Sequence, residues 1–127
     1  MTTETQEAVG RWIDTTFPGT DPLSPRKAIR ALEEMVELCL ASGAGDQEIA
    51  AAVGKALASA GNQPIGRQPE KIPAEAADVL IVLYGVAYVL GFDLHVEVGK
   101  KMVINRTRKW KANGDGTGYH VKGESRA

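Results

Sequence analysis

The 127-residue sequence contains little cysteine, few aromatic residues and no excess of charge of either sign. Its single cysteine, Cys39, excludes a disulfide within the chain, and the apolar neighbours Leu38 and Leu40 favour a buried thiol. The formal net charge of -1 provides no overall field that would attract a nucleic acid or an anionic membrane. A site for a polyanion must therefore come from a local cluster of charges, and no nucleic-acid partner is expected.

The sequence also lacks a long hydrophobic run. Its most apolar segment, Val79 to Leu90, is about 12 residues long, whereas roughly 20 are needed to span a bilayer. Residues 1–7 have neither the basic region nor the apolar run of a signal peptide. These features predict a cytoplasmic protein with no membrane partner. They also predict that the apolar segment is a buried helix, part of which a second subunit covers.

Proline and glycine divide the rest of the chain into segments rich in Ala, Leu, Glu and Lys, which favours helices over strands. Start and stop signals such as Ser24-Pro25, Gly43, Asp93 and Gly114 set the expected boundaries. The chain is predicted to be one all-α domain over residues 1–127, in which 114–127 form a Gly-rich C-terminal tail. Five helices are expected, over roughly 3–15, 25–42, 46–61, 73–91 and 93–113.

Two short motifs carry carboxylates at positions i and i+3 of the predicted helices. Glu34 and Glu37 share one face of the second helix, and Glu75 and Asp78 share one face of the fourth. Their apolar neighbours place these acids beside the core, where a carboxylate needs a cation. Facing helices that each supply carboxylates can form a metal site. Without Cys and His clusters at zinc spacing, Mg²⁺ or Mn²⁺ is the expected ion.

Each acidic motif also has an ordinary interpretation. Acids three residues apart are common on solvated helices, where Arg30, Lys27 or Lys71 would pair with them. The presence of two such motifs in one chain favours the metal site over this alternative.

The predicted fifth helix carries six basic residues and no acid within twelve positions. Lys101, Asn105 and Arg108 lie at i, i+4 and i+7 on one face, which predicts that these side chains bind a triphosphate together. A solvated basic face at the end of a helix is one alternative. Nucleic-acid binding with Trp110 stacked on bases is another, but it needs more positive charge than the chain carries.

Taken in order, these motifs resemble those of the MazG-like all-α NTP pyrophosphohydrolases, over roughly residues 25–113. The resemblance implies a four-helix-bundle core and a homodimer or homotetramer. It also implies Mg²⁺-dependent cleavage of a (d)NTP, between the α and β phosphates, to (d)NMP and pyrophosphate. The matching segments are Glu33-Glu34-x-x-Glu37, Glu75-x-x-Asp78 and Lys101-Met102-x-x-Asn105-Arg106-x-Arg108.

By this resemblance, the acids act as catalytic metal ligands and the basic helix binds phosphates. A carboxylate, Glu37 or Glu33, would take the proton of the attacking water. The implied metal ligands are Glu34, Glu37, Glu75 and Asp78, and the implied phosphate ligands are Lys101, Asn105 and Arg108.

The C-terminal tail, together with Trp12 and Phe17, is similar to a phage-type subgroup that acts on purine (d)NTPs, including dGTP. This implies a location in the host cytoplasm if the chain is phage-encoded. The tail is too rich in glycine to be expected to form a packed element, and a frayed terminus is the alternative. The expected nucleoside contacts are Trp12, Asp115 and Tyr119, with Thr117 and His120 as further nucleotide contacts.

Two other functions compete with this prediction. One is a non-catalytic helical oligomer in which the acids and bases only form salt bridges. The other is an enzyme like phosphoribosyl-ATP pyrophosphohydrolase, which has similar chemistry.

Overall fold

The computed structural model describes residues 4–19, 21–61 and 66–122, and it is mostly helical. The predicted all-α class and the five helices are confirmed. A 3₁₀ turn, Pro69–Lys71, precedes the fourth helix, and a two-stranded antiparallel sheet follows the fifth. The elements are α1 (Gln6–Thr16), α2 (Arg26–Ala41), α3 (Asp46–Ser59), α4 (Ile72–Leu90), α5 (Leu94–Thr107), β1 (Trp110–Ala112) and β2 (Gly118–His120).

Short polar side chains start several of the helices. The Thr5 hydroxyl accepts a hydrogen bond from the backbone N–H of Ala8 at the start of α1. Asp93 caps α5 as predicted, because its carboxylate accepts from the N–H groups of His95 and Val96 at 2.9 and 3.2 Å. These bonds satisfy backbone donors that have no partner within the helix, which fixes where each helix begins.

Glycine ends α4 as expected. Gly91 has φ +78°, the left-handed conformation that a helix needs at its C-cap and that glycine adopts without strain. The predicted loop from Gly61 to Ile72 includes residues 62–65, which lie outside the described residues, as do residues 123–127 of the predicted tail.

The predicted end of α5 was wrong. The helix ends at Thr107, because Arg108 adopts an extended conformation with ψ 156°, and the chain then enters β1. Trp110 pairs with His120 across the hairpin, and Ala112 pairs with Gly118. Residues 118–120 of the expected tail are thus part of a packed element.

The chain divides into two units. The first consists of residues 1–22 and 68–127 and contains α1, α4, α5 and the hairpin; the second consists of residues 23–67 and contains α2 and α3. Within the first unit, the Tyr84 hydroxyl on α4 and the His95 ring on α5 share a hydrogen bond of 2.9 Å. The single-domain assignment stays a prediction.

The apolar segment from Val79 to Leu90 is not the buried helix that its composition predicts. Of that segment only Ala87 is buried, while Tyr88 and Val89 are 88% and 80% exposed. The apolar helical stretch is also longer than the sequence indicates. By length and composition, the stretch Pro69–Leu90, which contains an 18-residue window with a mean hydropathy of 1.6, is long enough to cross a membrane. These two properties alone do not distinguish a membrane span from the core helix of an assembly.

Candidate active site

The acids of the first motif lie on α2 in the second unit, and all of them are exposed. Arg30 donates hydrogen bonds to Glu34 four residues on and, at 3.4 Å, to Glu33 three residues on. This is the ordinary pairing of a helix surface, and such pairs contribute only about 0.3–0.5 kcal/mol. A metal ion at Glu34 would compete with Arg30 for the same carboxylate.

The acids of the second motif lie near the start of α4 in the first unit. Glu75 occupies the first turn, where the positive end of the helix dipole stabilises a carboxylate. Asp78 follows one turn later, and both residues are exposed. The expectation that the four acids border the core was therefore wrong for the single chain. Because the carboxylates remain in contact with solvent, they do not need a cation to offset a cost of burial.

The structure shows each carboxylate pair by itself, since the two pairs belong to different units. Among residues 4–19, 21–61 and 66–122, no three His, Cys, Asp or Glu side chains are grouped so as to hold a metal ion. The assignment of Glu34, Glu37, Glu75 and Asp78 as metal ligands stays a prediction.

The predicted phosphate ligands do not share one continuous helical face. Lys101 and Asn105 lie on α5, but Arg108 is the C-cap, in extended conformation. The argument from i, i+4 and i+7 spacing thus fails for Arg108. The Asn105 Oδ1 atom is buried and accepts no hydrogen bond from the described residues.

Two other basic residues of α5 are engaged with acids. Arg106 donates hydrogen bonds to both carboxylate oxygens of Glu4, whose side chain is only 11% exposed. The hydrogen bond from Arg106 is the main cause that lowers the pKa of Glu4. Lys100 pairs with Glu97 at 3.1 Å. Arg106 and Lys100 thus have acidic partners within the chain, and neither is one of the predicted phosphate ligands.

Trp12, a predicted nucleoside contact, belongs to a cluster of three aromatic rings. Trp12, Phe17 and Trp110 pack edge to face in all three pairs, with ring centroids 5.5–5.7 Å apart. This geometry suits the ring quadrupoles and fixes the hairpin against the end of α1. The aromatic-cluster contacts give Trp12 a structural role in the first unit.

The other two predicted nucleoside contacts lie in the hairpin. The Asp115 carboxylate accepts hydrogen bonds from the Thr117 N–H at 3.0 Å and from the Thr117 hydroxyl at 2.5 Å, while Thr117 itself is buried. Tyr119 is 53% exposed. Asp115 thus shapes the turn, and the side chain of Tyr119 is accessible to a ligand.

His120 packs against Trp110 in the hairpin, and the charges of several cations of the first unit act on it. Its half-buried ring lies 5.7 Å from that of Trp110. Burial, followed by the charges of Arg108, Lys122 and Lys101, lowers the pKa of His120. The charges of Lys101 and Arg108 thus both act on His120, although the two residues are not aligned on one helical face.

The sequence prediction missed the hairpin and Lys122. A signal for the turn was present, because Asn113-Gly114 and Asp115-Gly116 are dipeptides that favour tight turns. Gly114 and Gly116 have φ of +90° and +89°. With Trp110-Lys-Ala before them and Gly118-Tyr-His after them, these dipeptides are typical of a β-hairpin.

Comparison with known proteins gives two similar sequences, both from phages. The dATP/dGTP diphosphohydrolase of Salmonella phage PMBT28 is 30% identical over 118 residues, which are 93% of this chain and 31% of that protein. The dATP/dGTP diphosphohydrolase of Cyanophage S-2L is 39% identical over 51 residues, 40% of this chain and 49% of that protein. The matches thus span about a third and about a half of these relatives. No protein-family model and no solved structure matches the chain.

Proposed function

We propose that this chain is a divalent-metal-dependent pyrophosphohydrolase that converts purine deoxynucleoside triphosphates, dGTP and dATP, to the monophosphate and pyrophosphate. The observation that carries the proposal is the similarity, over 93% of the chain, to a phage protein named dATP/dGTP diphosphohydrolase. The MazG-like motifs on α2, α4 and α5 support the same reaction.

The cations around His120 provide the binding chemistry for the polyphosphate. Cleavage between the α and β phosphates leaves negative charge on the departing pyrophosphate, and nearby cations stabilise that charge. The Arg108 guanidinium can bind two phosphate oxygens at once, whereas the Lys101 ammonium acts as a point charge. Asn105 completes the proposed phosphate contacts.

The carboxylates of α2 and α4 would hold the metal. Oxygen ligands of this kind fit Mg²⁺ or Mn²⁺, and each pair lies on one continuous helix and is accessible to solvent. When bound, the ion would polarise the phosphoryl oxygens and neutralise charge on them. Of the four acids, Glu34 must first release Arg30. Glu37 or Glu33 would accept the proton of the attacking water.

The base would lie near the hairpin. Tyr119 offers an exposed aromatic ring, and Asp115 offers carboxylate oxygens that accept hydrogen bonds from purine N–H groups. Trp12 would act through the aromatic cluster that fixes the hairpin. These contacts are the proposed source of a preference for purines.

We also propose that the chain works as a homodimer or homotetramer. The exposed apolar side chains of α4 include Ile81, Val82, Tyr88 and Val89, and they would be costly to leave in water at about 25 cal/mol per Å². A second copy of the chain offers the same apolar helix and would cover these side chains. A membrane is the competing environment for this helix.

A non-catalytic helical oligomer is the second candidate, because Arg30 already satisfies Glu34 as a salt-bridge partner. Pyrophosphate release separates it from the enzyme. The 127-residue chain with Mg²⁺ is expected to release pyrophosphate from dGTP and dATP faster than from dCTP and dTTP. Phosphoribosyl-ATP is tested in parallel, and its hydrolysis would indicate an activity like that of phosphoribosyl-ATP pyrophosphohydrolase.

A thermal-shift measurement gives a second readout that does not need turnover. Mg²⁺ together with a non-hydrolysable dGTP analogue should raise Tm, while NaCl at the same ionic strength should not. Failure of all the triphosphates to react or to stabilise the protein would favour the non-catalytic oligomer.

A further inference from the structure

The hairpin holds His120 at a defined position beside the end of α5. Within the sheet His120 pairs with Trp110. The Trp110 indole N–H donates to the carbonyl oxygen of Asn105 in the last turn of α5 at 2.8 Å, and the Val121 N–H donates to the carbonyl oxygen of Lys109 at 2.9 Å. The first bond ties β1 to the last turn of α5, and the second ties the end of β2 to the residue before β1, so His120 is held beside the end of the helix.

The register of the hairpin brings cations to the same side as His120. Because Trp110 pairs with His120 and the Val121 N–H bonds to Lys109, Lys122 comes opposite Arg108. The charges of Arg108, Lys122 and Lys101 all act on His120. Lys101 lies on α5, Arg108 is the C-cap of α5, and Lys122 follows β2. Trp110, the neighbour of the ring on β1, carries no charge. Cations brought together around a half-buried ring repel one another, and an anion that binds among them relieves this repulsion.

We propose that His120 and Lys122 belong to the same polyphosphate site as Lys101 and Arg108, and that His120 takes up a proton from solvent when a pyrophosphate-type anion binds. The identity of the anion as a polyphosphate rests on the proposed function. The site itself rests on the hairpin register, which places His120 and Lys122 beside Arg108 at the end of α5, the helix that carries Lys101.

The proposal follows from the charge balance of the site. Without an anion, the surrounding cations and burial disfavour the imidazolium form of His120. A pyrophosphate carries several negative charges, so its arrival reverses the electrostatic potential at the ring and favours the protonated form. The protonated ring has two N–H donors, whereas the neutral ring has one. Protonation therefore adds both a charge and a donor for a phosphate oxygen.

Nuclear magnetic resonance can test this directly, because the chain has two histidines. The second, His95, bonds to Tyr84 and serves as an internal control. The 127-residue chain is titrated from pH 5 to 9 with and without inorganic pyrophosphate, in the presence of EDTA so that no metal-dependent turnover contributes. The His95→Gln variant assigns the two imidazole signals.

Pyrophosphate is expected to raise the pKa of His120 and to leave the titration of His95 unchanged. Relative to the affinity of His120→Gln, which carries the ionisation of pyrophosphate itself, the wild-type affinity should fall with rising pH by up to about tenfold per unit between the pKa of free His120 and that of bound His120. His120→Gln should lack this histidine contribution and keep only the pH dependence of pyrophosphate itself, and Lys122→Gln should weaken binding at every pH. Lys122→Gln alters an exposed residue, so it also provides a test that does not depend on the packing of Trp110.

An unchanged His120 titration at pyrophosphate concentrations that saturate the protein would overturn the proposal. So would an absence of pyrophosphate binding. The test of the enzymatic activity is independent of this result. Hydrolysis of dGTP together with an unchanged His120 signal would refute only the proposal about the histidine. A shifted His120 signal in a protein that hydrolyses no triphosphate supports the anion site and removes the proposed function.

Discussion

Gly118 lies directly against the ring of Phe17. A methyl group at this position would overlap two ring carbons of Phe17 and the carbonyl oxygen of Lys111 on the paired strand. A similar close approach joins Gly19 to the hairpin turn, where an added Cβ would lie 2.7 Å from the Gly116 nitrogen. The hairpin therefore docks on the end of α1 through backbone that only glycine allows to come so close.

Gly118→Ala should lower the free energy of unfolding by about 1–3 kcal/mol, because neither the Phe17 ring nor the strand backbone can move freely. Gly10→Ala is the matched control, since an added Cβ at this exposed position in α1 meets nothing within 4 Å. That control should stabilise the protein by roughly 0.5–1 kcal/mol. Denaturant unfolding measures both, and equal effects would contradict the proposed docking.

Glu37→Gln and Asp78→Asn should each reduce Mg²⁺-dependent turnover of dGTP by about a hundredfold or more, on the order of 3 kcal/mol. Each change removes a ligand charge and nearly preserves shape, so Tm should change little. Glu48→Gln, an exposed acid on α3 outside both motifs, is the control and should retain activity. Near wild-type turnover in either motif variant would refute the metal assignment.

Arg108→Ala should weaken binding of a non-hydrolysable triphosphate by about 1.5–3 kcal/mol, roughly ten- to a hundredfold. Binding of the monophosphate should change less, because the proposed partners of the guanidinium are the β and γ oxygens, which the monophosphate lacks. Lys101→Ala should act in the same direction. Lys100→Ala removes the same charge from a residue paired with Glu97 and should have a small effect. Calorimetry gives these affinities, and equal losses for the two nucleotides would place Arg108 away from the polyphosphate.

Acid should weaken the link between the N-terminal segment and α5. The pKa of Glu4 is lowered in the folded protein, chiefly by the hydrogen bond from Arg106. The stabilisation is therefore present above the ordinary pKa of about 4.5 and is lost as the pH falls through the lowered value. Glu4→Gln should thus lower Tm at pH 6, and the difference from the wild type should shrink as the pH falls from 4.5 towards 3. A difference in Tm that persists unchanged at pH 3 would exclude this ion pair as the cause.

Val89→Glu should dissociate the proposed oligomer, since a carboxylate on the exposed apolar face of α4 cannot be buried against a second copy at low cost. Gln47→Glu makes the same change of charge at an exposed position on α3 and should leave the assembly intact. Light scattering after size exclusion measures the mass. A monomeric wild-type protein that floats with lipid vesicles would favour the membrane instead.

The helices were predictable because their boundaries depend on local chemistry. Asp93 satisfies the free N–H groups of α5, and Gly91 adopts the left-handed conformation after α4. These effects involve neighbours within a few residues, which a sequence displays directly. The all-helical class followed from the same signals.

The end of α5 was not predictable from the same signals. Lys and Arg favour helices, so residues 108–113 read as a continuation of α5. In the structure Trp110 leaves the helix to pack on Trp12 and Phe17, roughly a hundred positions earlier in the sequence. Such long-range packing overrides local preference, and it also allows His120 to pair with Trp110 near the end of α5. The burial of the acids was misjudged for a related reason, because apolar sequence neighbours do not show which side of a helix is covered.

The aromatic cluster determines what an optical measurement on this protein can report. Trp12 and Trp110 are the two tryptophans of the chain, and their rings lie 5.6 Å apart within the first unit. Intrinsic fluorescence therefore monitors the contact between the hairpin and α1 and does not sample α2 or α3. Far-ultraviolet circular dichroism, in contrast, records all five helices. Melting curves from the two methods will superimpose only when both units unfold in a single cooperative transition.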